Sequence, residues 1–503
     1  MTQAYDLIGD IHGCARTLQA LLHKLDYRPD VQGVYRHPDR QVIFLGDFID
    51  RGPYQREAIS VARRMMEAGQ ARSVMGNHEY NAIAFATIKD AKRARHADNY
   101  LRPHSAKNIG QHIRFLKAYS DQPFDLDADF EQWYAPIRRN ADYQADIAWF
   151  KTLPLWLETD GIRVIHACWD QKLMARIGNP QLDDHLLHAS SRPGNWQYEA
   201  IETLLKGKEI PLPPGHAFHD KDGNIRHHIR VRWWDQAAAT YQAAFMGPES
   251  ARTHIPHDEV SGDHLIDYGH DQPPLFLGHY WMNDTTPAPL SRNIACLDYS
   301  VARPGGKLVA YRWQGERAIE QEHYRWADRV EWPGFNDTGS ILLPLPTAQF
   351  QHLAPEIQVE GNSYKRKPEF HVTLMNKRLG RALERTVKHN PAQYAALEKA
   401  YLSNDWSLQQ TDELRLIRRE KTGPDGKTIT QQSIVRMLHM PGLQEFYANL
   451  KQVDLLNPAV PLPPPHVTLY TRNCDSGISI PDSDALRNYT RHIFSMDSFG
   501  AHE

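Results

Sequence analysis

The sequence predicts an α/β chain of two domains, and three observations carry that prediction. Short apolar runs alternate with amphipathic segments near the amino terminus, as strands alternate with helices. Each run stops at a turn rich in Gly, Asp and His: Asp10-Ile11-His12-Gly13, Gly46-Asp47-Phe48-Ile49-Asp50-Arg51-Gly52-Pro53 and Gly76-Asn77-His78-Glu79. The length, 503 residues, exceeds what one core ordinarily organises.

Taken in order, residues 6–9 form a first strand that runs into the first turn. Residues 15–25 set Leu18, Leu21, Leu22 and Leu25 on one helical face. Residues 41–46 are a continuous apolar strand, residues 56–68 a helix stopped by Gly69, and residues 73–76 a third strand. Residues 163–166, 275–279, 293–298 and 308–312 are further strands. The polar stretches 81–150 and 170–270 are expected as insertions that build a cleft. Residues 314–337, charged and then turn-rich, are the candidate linker between a domain over 1–325 and one over 338–503.

Composition narrows the classes. Hydrophobic residues at 41% and charged ones at 24% describe a soluble globular protein. No apolar run reaches the roughly 18 residues of a membrane helix. The chain enters its first strand without a leader-like segment, so a cytoplasmic location is expected. Cys14, Cys168, Cys296 and Cys474 are scattered and read as reduced thiols. A net charge of −3 excludes a general polyanion binder. The 27 histidines invite a search for metal ligands.

Hydrolysis of a phosphate ester by water needs a nucleophilic hydroxide and neutralisation of the phosphoryl oxygens, which two divalent metals supply together. A bridging carboxylate must hold them, and Asp47, just after a buried strand, is placed for that. Asp10 and His12, two apart on a strand end, face one way with Ile11 between them. Asn77 offers an amide oxygen. His166 and His279 each end an apolar run, as the first three motifs do.

The three motifs, followed by His166 and Gly278-His279, resemble the metallophosphatase superfamily, in its bacterial phosphoprotein-phosphatase-like branch, over about residues 5–315. The resemblance implies a calcineurin-like αββα sandwich with insertions. It implies one metal on Asp10, His12 and Asp47, and another on Asp47, Asn77, His166 and His279. Manganese is the expected metal, with Ni, Fe, Zn or Mg as alternatives. His78 becomes the general acid paired with Asp50, Arg51 binds phosphate, and Asp298 belongs to the closing segment and the substrate side. Arg230 and Arg232 are candidates for a second phosphate-binding arginine, with a solvated basic strand edge as the competing reading. Two departures, His166-Ala167-Cys168 and Gly278-His279-Tyr280-Trp281, place the domain nearer small-molecule or RNA-end phosphatases than protein phosphatases.

A second chemistry lies downstream. His371-Val372-Thr373-Leu374 recurs as His466-Val467-Thr468-Leu469. A cyclic phosphodiester opens without metal if one histidine activates water and another protonates the leaving oxygen. Thr373 and Thr468 share a strand face with the histidines and can donate to phosphate oxygens. The repeated motif resembles the two-histidine (2H) phosphoesterases, which include 2′,3′-cyclic phosphodiesterases; this implies an α+β domain over about 338–503. Eight Lys or Arg between residues 361 and 390 suggest a phosphate footprint. Gly423-Pro424-Asp425-Gly426-Lys427-Thr428 is a hairpin turn and not a nucleotide loop, and Trp233-Trp234 are core residues.

The expectation is a bifunctional phosphoesterase on RNA or nucleotide ends: the carboxyl-terminal domain opens a 2′,3′-cyclic phosphate and the amino-terminal domain removes the resulting monoester. The alternatives are a small-nucleotide hydrolase acting on dinucleoside polyphosphates, cyclic oligonucleotides or ADP-ribose cyclic phosphate, and a phosphatase guided by a non-catalytic RNA-binding module. No membrane contact is expected.

Overall fold

The computed structural model describes residues 3–90, 96–122, 124, 129–219, 225–247, 249–262, 264–282, 284, 286–303, 305–336, 338–345, 347–388, 390–422, 428–474 and 477–495. The chain divides into two compact units, 1–329 and 330–503. Among the described residues no helix is long and apolar enough to cross a membrane.

In the first unit, Ala4–Ile8, Arg40–Phe44 and Ala71–Ser73 run parallel, and Lys307–Trp313 closes the other side of Ala4–Ile8 antiparallel. A second sheet has the order Ile294–Cys296, Leu275–Leu277, Ile162–Ile165, Trp156–Thr159. Leu7, Ile43 and Val309 of the first sheet share one buried cluster with Val164, Phe276 and Ala295 of the second, so the sheets stack face to face. Outside the first sheet, Ile8, Val42 and Phe44 bury against Leu18 and Leu22 of helix Ala15–Lys24 and Ala58 and Ala62 of helix Gln55–Glu67. Outside the second, Ile165, Leu275 and Leu277 bury against Leu204 and Trp233. Helix, sheet, sheet, helix is therefore the layering. The parallel strands all end toward the Gly/Asp/His turns, which sets the position of the site.

Two expected boundaries moved. Within the expected linker, Tyr324–Asp328 is a strand on Lys307–Trp313, with Tyr324 3% exposed. Its charged neighbours mask one inward aromatic in the sequence pattern. The third strand keeps only Ser73 of the expected 73–76, because the Met75 amide bonds to the Pro154 carbonyl at 2.8 Å and turns the chain out of the ladder.

The second unit is built on an antiparallel sheet in the order Ile341–Leu345, Phe370–Met375, His466–Arg472, Thr428–His439, Gln409–Thr422, Thr490–Ser495. One face buries Val372, Leu374, Ile434 and Val467 under Leu383, Val387, Leu443 and Phe446 of two helices, Lys377–Val387 and Pro441–Gln452. The other carries a smaller cluster of Ile417, Val435, Ile478, Ile480 and Leu486. Gln409–Thr422 and Thr428–His439 pair out to Thr422 opposite Thr428. The Pro-Asp-Gly turn expected between them, at 423–427, lies outside the described residues.

Candidate metal centre and imidazole pair

The three motif turns are locked to one another before any side chain is considered. The amides of Ile11 and His12 both bond to the Asp47 carbonyl, at 3.0 and 2.8 Å, and that of Gly13 to Phe48 at 2.7 Å. Glu79, fully buried, accepts from the amides of Asp47 and Phe48 at 2.8 Å and Gly76 at 3.1 Å. Burial, with Asp47 beside it, raises its carboxyl to about 7. Gly76 is required by closeness, since a Cβ there would meet Asp47 Oδ1 at 2.1 Å. His12, Asp47, Asp50, Arg51, His279 and Trp281 have φ of 47°, 52°, 70°, 64°, 69° and 48°. Left-handed backbone at so many non-glycine residues is strain held in place by the surrounding packing.

The side chains then converge on Asp47. Its Oδ2 lies 3.4 Å from His166 Nε2, 3.6 Å from His12 Nε2 and 3.9 Å from His78 Nε2. His12 Nδ1 and His166 Nδ1 face the carbonyls of Ile49 and Leu45, at 2.9 and 2.7 Å. A carbonyl only accepts, so each Nδ1 carries hydrogen and each Nε2 turns a lone pair toward the carboxylate. Lone pairs and an anion at that spacing repel unless a cation lies between them. His12 Nε2 and His279 Nε2 are also buried with no hydrogen-bond partner. Asn77 Oδ1 lies 2.8 Å from His279 Nδ1 and 3.2 Å from His166 Nε2. Two clusters of close donor atoms result, His12–Asp47–His78 and Asp47–His166–His279; Asp47 belongs to both, and His78, turned by its Nδ1 to Asp50, borders the first. The residues present fit two divalent metals bridged by a carboxylate.

The electrostatics agree. Against the lowering effect of burial, Asp47 and Asp10 raise His166 to about 10: the field at Nε2 calls for a cation. Burial and the nearby Asp298 raise Asp10 well above the usual carboxylate range. Asp10 is 2% exposed and its oxygens accept from the His279 amide at 3.2 and 3.4 Å.

Residues 5–203 match the calcineurin-like phosphoesterase family. The amino-terminal unit thus carries a metallophosphoesterase domain. Domains of this kind use a dinuclear divalent metal centre. The chain is 44% identical over 75 residues to the asymmetrical bis(5′-nucleosyl)-tetraphosphatase PrpE of Halalkalibacterium halodurans, which is 15% of this chain and 30% of that one. It is 45% identical over 76 residues to the protein of the same name in Bacillus subtilis, 15% and 31% of the two chains. The chain therefore spans about a third of the length of these relatives. A protein serine/threonine phosphatase from Saccharomyces cerevisiae is similar at 16% identity and a TM-score of 0.34, over 66% of this chain and 82% of that one. A likeness at that level carries no functional argument.

Around the metallophosphoesterase centre the structure distributes the remaining expected residues. His78 Nδ1 bonds to Asp50 Oδ2 at 2.5 Å. Arg51 Nη2 is 3.4 Å from His78 Nε2, and its guanidinium stacks 4.1 Å from the Trp281 ring centre. Arg303 stacks on the same ring, also at 4.1 Å, which requires the opposite face. Arg230 bonds to Glu209 at 3.3 Å, and its charge reaches His279, which burial first and Arg230 next lower well below the usual value. Arg232 lies two residues on, half-buried. Asp298, expected on the substrate side, instead serves backbone: it is 1% exposed and accepts from the amides of Trp281 at 3.1 Å and Ser300 at 2.9 Å. It holds the turn that carries His279. Trp233 and Trp234 are buried, at 0% and 8% exposure, as expected of core.

In the second unit, strands Phe370–Met375 and His466–Arg472 are neighbours, and Val372 pairs with Val467. Both valines are buried in the helix-covered core, at 1% and 0%. Strand alternation then turns His371, Thr373, His466 and Thr468 to the opposite face. His466 Nδ1 donates to the Pro464 carbonyl at 2.7 Å, which leaves Nε2 with its lone pair. Burial lowers both imidazoles from the usual value; Lys367 adds to this at His371, and His371 at His466. The basic run does not make one patch. Lys377, Arg378, Arg381, Arg385 and Lys388 belong to or directly follow helix Lys377–Val387, whose Leu383 and Val387 cover the valine face. They are solvated on the side away from the histidines, because helix periodicity and strand alternation sort neighbouring residues to different surfaces.

Proposed function

We propose that the chain is a bifunctional phosphoesterase of RNA or nucleotide ends: the second unit opens a 2′,3′-cyclic phosphate and the metallophosphoesterase centre removes the monoester produced. The observation that carries this reading is the Val372–Val467 register, which gathers two His-x-Thr pairs on a single face turned away from the core. A structural strand pair has no need of that set of side chains.

At the cyclic phosphate, His466 Nε2 takes a proton from water as the water oxygen attacks phosphorus. The bond from phosphorus to one ribose oxygen breaks, and that oxygen takes a proton from His371. Thr373 and Thr468 donate to the non-bridging oxygens. At the first unit, Asp10, His12 and Asp47 would hold one metal and Asp47, Asn77, His166 and His279 the other. Metals bound there would supply the hydroxide and neutralise phosphoryl charge. Arg51, held flat by Trp281, binds a phosphoryl oxygen. His78, oriented by Asp50, gives its proton to the leaving oxygen.

A second reading, a dinucleoside polyphosphate hydrolase, is favoured by the relatives named as bis(5′-nucleosyl)-tetraphosphatases. One assay separates the two. A 2′,3′-cyclic-phosphate-terminated oligonucleotide and diadenosine tetraphosphate are each incubated with the Mn²⁺-loaded chain, with and without EDTA. End healing expects cyclic opening with EDTA and a free diol only without it. Loss of cyclic opening in chelator sinks the metal-free assignment. Cleavage of the tetraphosphate alone favours the second reading.

A further inference from the structure

Asp50 carries two imidazoles. Its Oδ2 bonds to His78 Nδ1 at 2.5 Å and lies 2.9 Å from His112 Nδ1. Asp50 is 0% exposed and His112 1%. A carboxylate accepts and does not donate, so the nitrogen that each imidazole turns to it carries the hydrogen. Burial pushes the Asp50 carboxyl up, but His112 first and His78 next outweigh it and hold the group well below the usual carboxylate range. His112 is itself lowered, by burial foremost, against the raising effect of Asp50.

His112 belongs to helix Ala106–Lys117, inside the stretch 81–150 that interrupts the motif series. The helix is fastened where it matters. Ser105 caps its first turn, Phe115 and Leu116 are fully buried, and the His112 ring meets the edge of Phe85 with centres 5.4 Å apart. The preceding residue, Gln111, accepts from Arg102 at 2.8 Å, and its Nε2 lies 3.5 Å from His78 Nδ1. Two consecutive residues of one helix therefore meet the same dyad. The charged and titratable groups that face His112 are Asp50, His78 and Arg102.

We propose that His112 is a positioning residue for proton delivery by His78, acting through Asp50. This rests on the reading of the first unit as a phosphoester hydrolase with His78 as its acid. The His112 ring, with Nδ1 2.9 Å from Asp50 Oδ2, occupies one side of that oxygen and limits rotation of the carboxylate, so the side left open points at His78 Nδ1. His78 then presents Nε2 to the leaving oxygen in a single orientation. Without His112 the carboxylate is free to turn, and proton transfer loses alignment.

The consequence depends on the leaving group. A nitrophenolate departs without a proton, whereas a phenolate or alkoxide departs well only with one. The test uses the full metal-loaded chain with p-nitrophenyl phosphate and phenyl phosphate, and three variants. His112→Asn keeps a donor where Nδ1 was. His112→Gln moves the donor to the Nε2 position. His112→Leu removes it. For Gln and Leu we expect kcat on phenyl phosphate to fall by roughly 10–100-fold, KM to stay level, and p-nitrophenyl phosphate turnover to change by less than about 3-fold. Asn should recover most of the loss. Equal losses on both substrates overturn the proposal, as does an Asn variant no better than Gln, since either marks a merely structural residue. If Leu does not fold, the Asn–Gln contrast decides by the same criteria. A wild-type chain that cleaves neither ester with metal overturns the underlying reading and this one with it.

Discussion

At the candidate metal centre Asp10, His12, Asp47, Asn77, His78 and His166 lie at 6% exposure or less, gathered at strand ends and a helix start, with left-handed backbone at His12 and Asp47. In the second unit His371 and Thr373 are half-buried in an ordinary extended strand, and His466 is 8% exposed in another. The contrast follows from charge. A dinuclear site must hold several carboxylates and lone pairs together, and burying them without compensation is expensive. Strained turns and shared amides keep the groups in place, and bound cations would offset the repulsion. Two neutral imidazoles need none of this. Plain strand alternation presents them, so the His-x-Thr pairs leave a shorter mark on the chain.

The largest expected effect removes the charge that defines the first region. Asp47→Asn should lower hydrolysis of p-nitrophenyl phosphate by about 10³-fold or more, because several kcal/mol of metal-borne stabilisation are lost with the bridge. Opening of a 2′,3′-cyclic phosphate should be unchanged. Near wild-type turnover with Mn²⁺ present would mean that the bridge is misassigned and the contrast with the second region is false.

Next in size is loss of either imidazole. His371→Ala and His466→Ala should each reduce cyclic phosphodiester opening by at least roughly 10²-fold. Removal of a pre-formed terminal phosphate should continue, and the melting temperature should hold, since neither ring is part of the helix-covered core. A wild-type chain that opens no cyclic phosphate, mononucleotide or oligonucleotide, removes the catalytic role of the pair. Weaker RNA retention in the mutants would then favour a binding module.

The smallest effect is on stability. His371 and His466 are lowered from the usual imidazole value by burial. Below about 6.5 the unfolded chain therefore binds more protons at these positions than the folded one. Stability from these groups is present above that pH and declines as pH falls through it. Thermal unfolding between pH 8 and pH 5 should show the carboxyl-terminal transition moving down on the acid side, and less so in a His371→Gln, His466→Gln double variant. A transition that stays level would show that the two rings are not buried as the structure has them.

Much of the candidate metal centre is legible locally, because a strand that ends in Asp-x-His-Gly, or runs through Gly76 into the helix opened by Asn77-His78-Glu79, leaves its ladder there and gathers those side chains at its carboxyl end. The roles of His112, Trp281 and Arg303 are not legible. Each is an unremarkable residue whose partner lies far along the chain, as His112 lies 62 residues from Asp50. Glu79 stood inside a motif, yet its function as a three-amide clamp depends on the second and third turns meeting in space. The strand Tyr324–Asp328 was hidden for a related reason: an edge strand with charged outward residues has the composition of a linker.

The amino-acid sequence by itself determined the strand–helix alternation, the turn chemistry at the strand ends and the repeated His-x-Thr-Leu, since each follows from local periodicity and backbone preference. Tertiary structure alone decided that Asp47 faces three imidazoles, that Asp298 serves backbone amides, that Asp50 is shared by His78 and His112, and that most of the basic run lies on the side of the sheet away from the histidines. Those outcomes depend on which elements pack together and on which face each side chain leaves, and that is settled by burial of the whole core rather than by any segment of it.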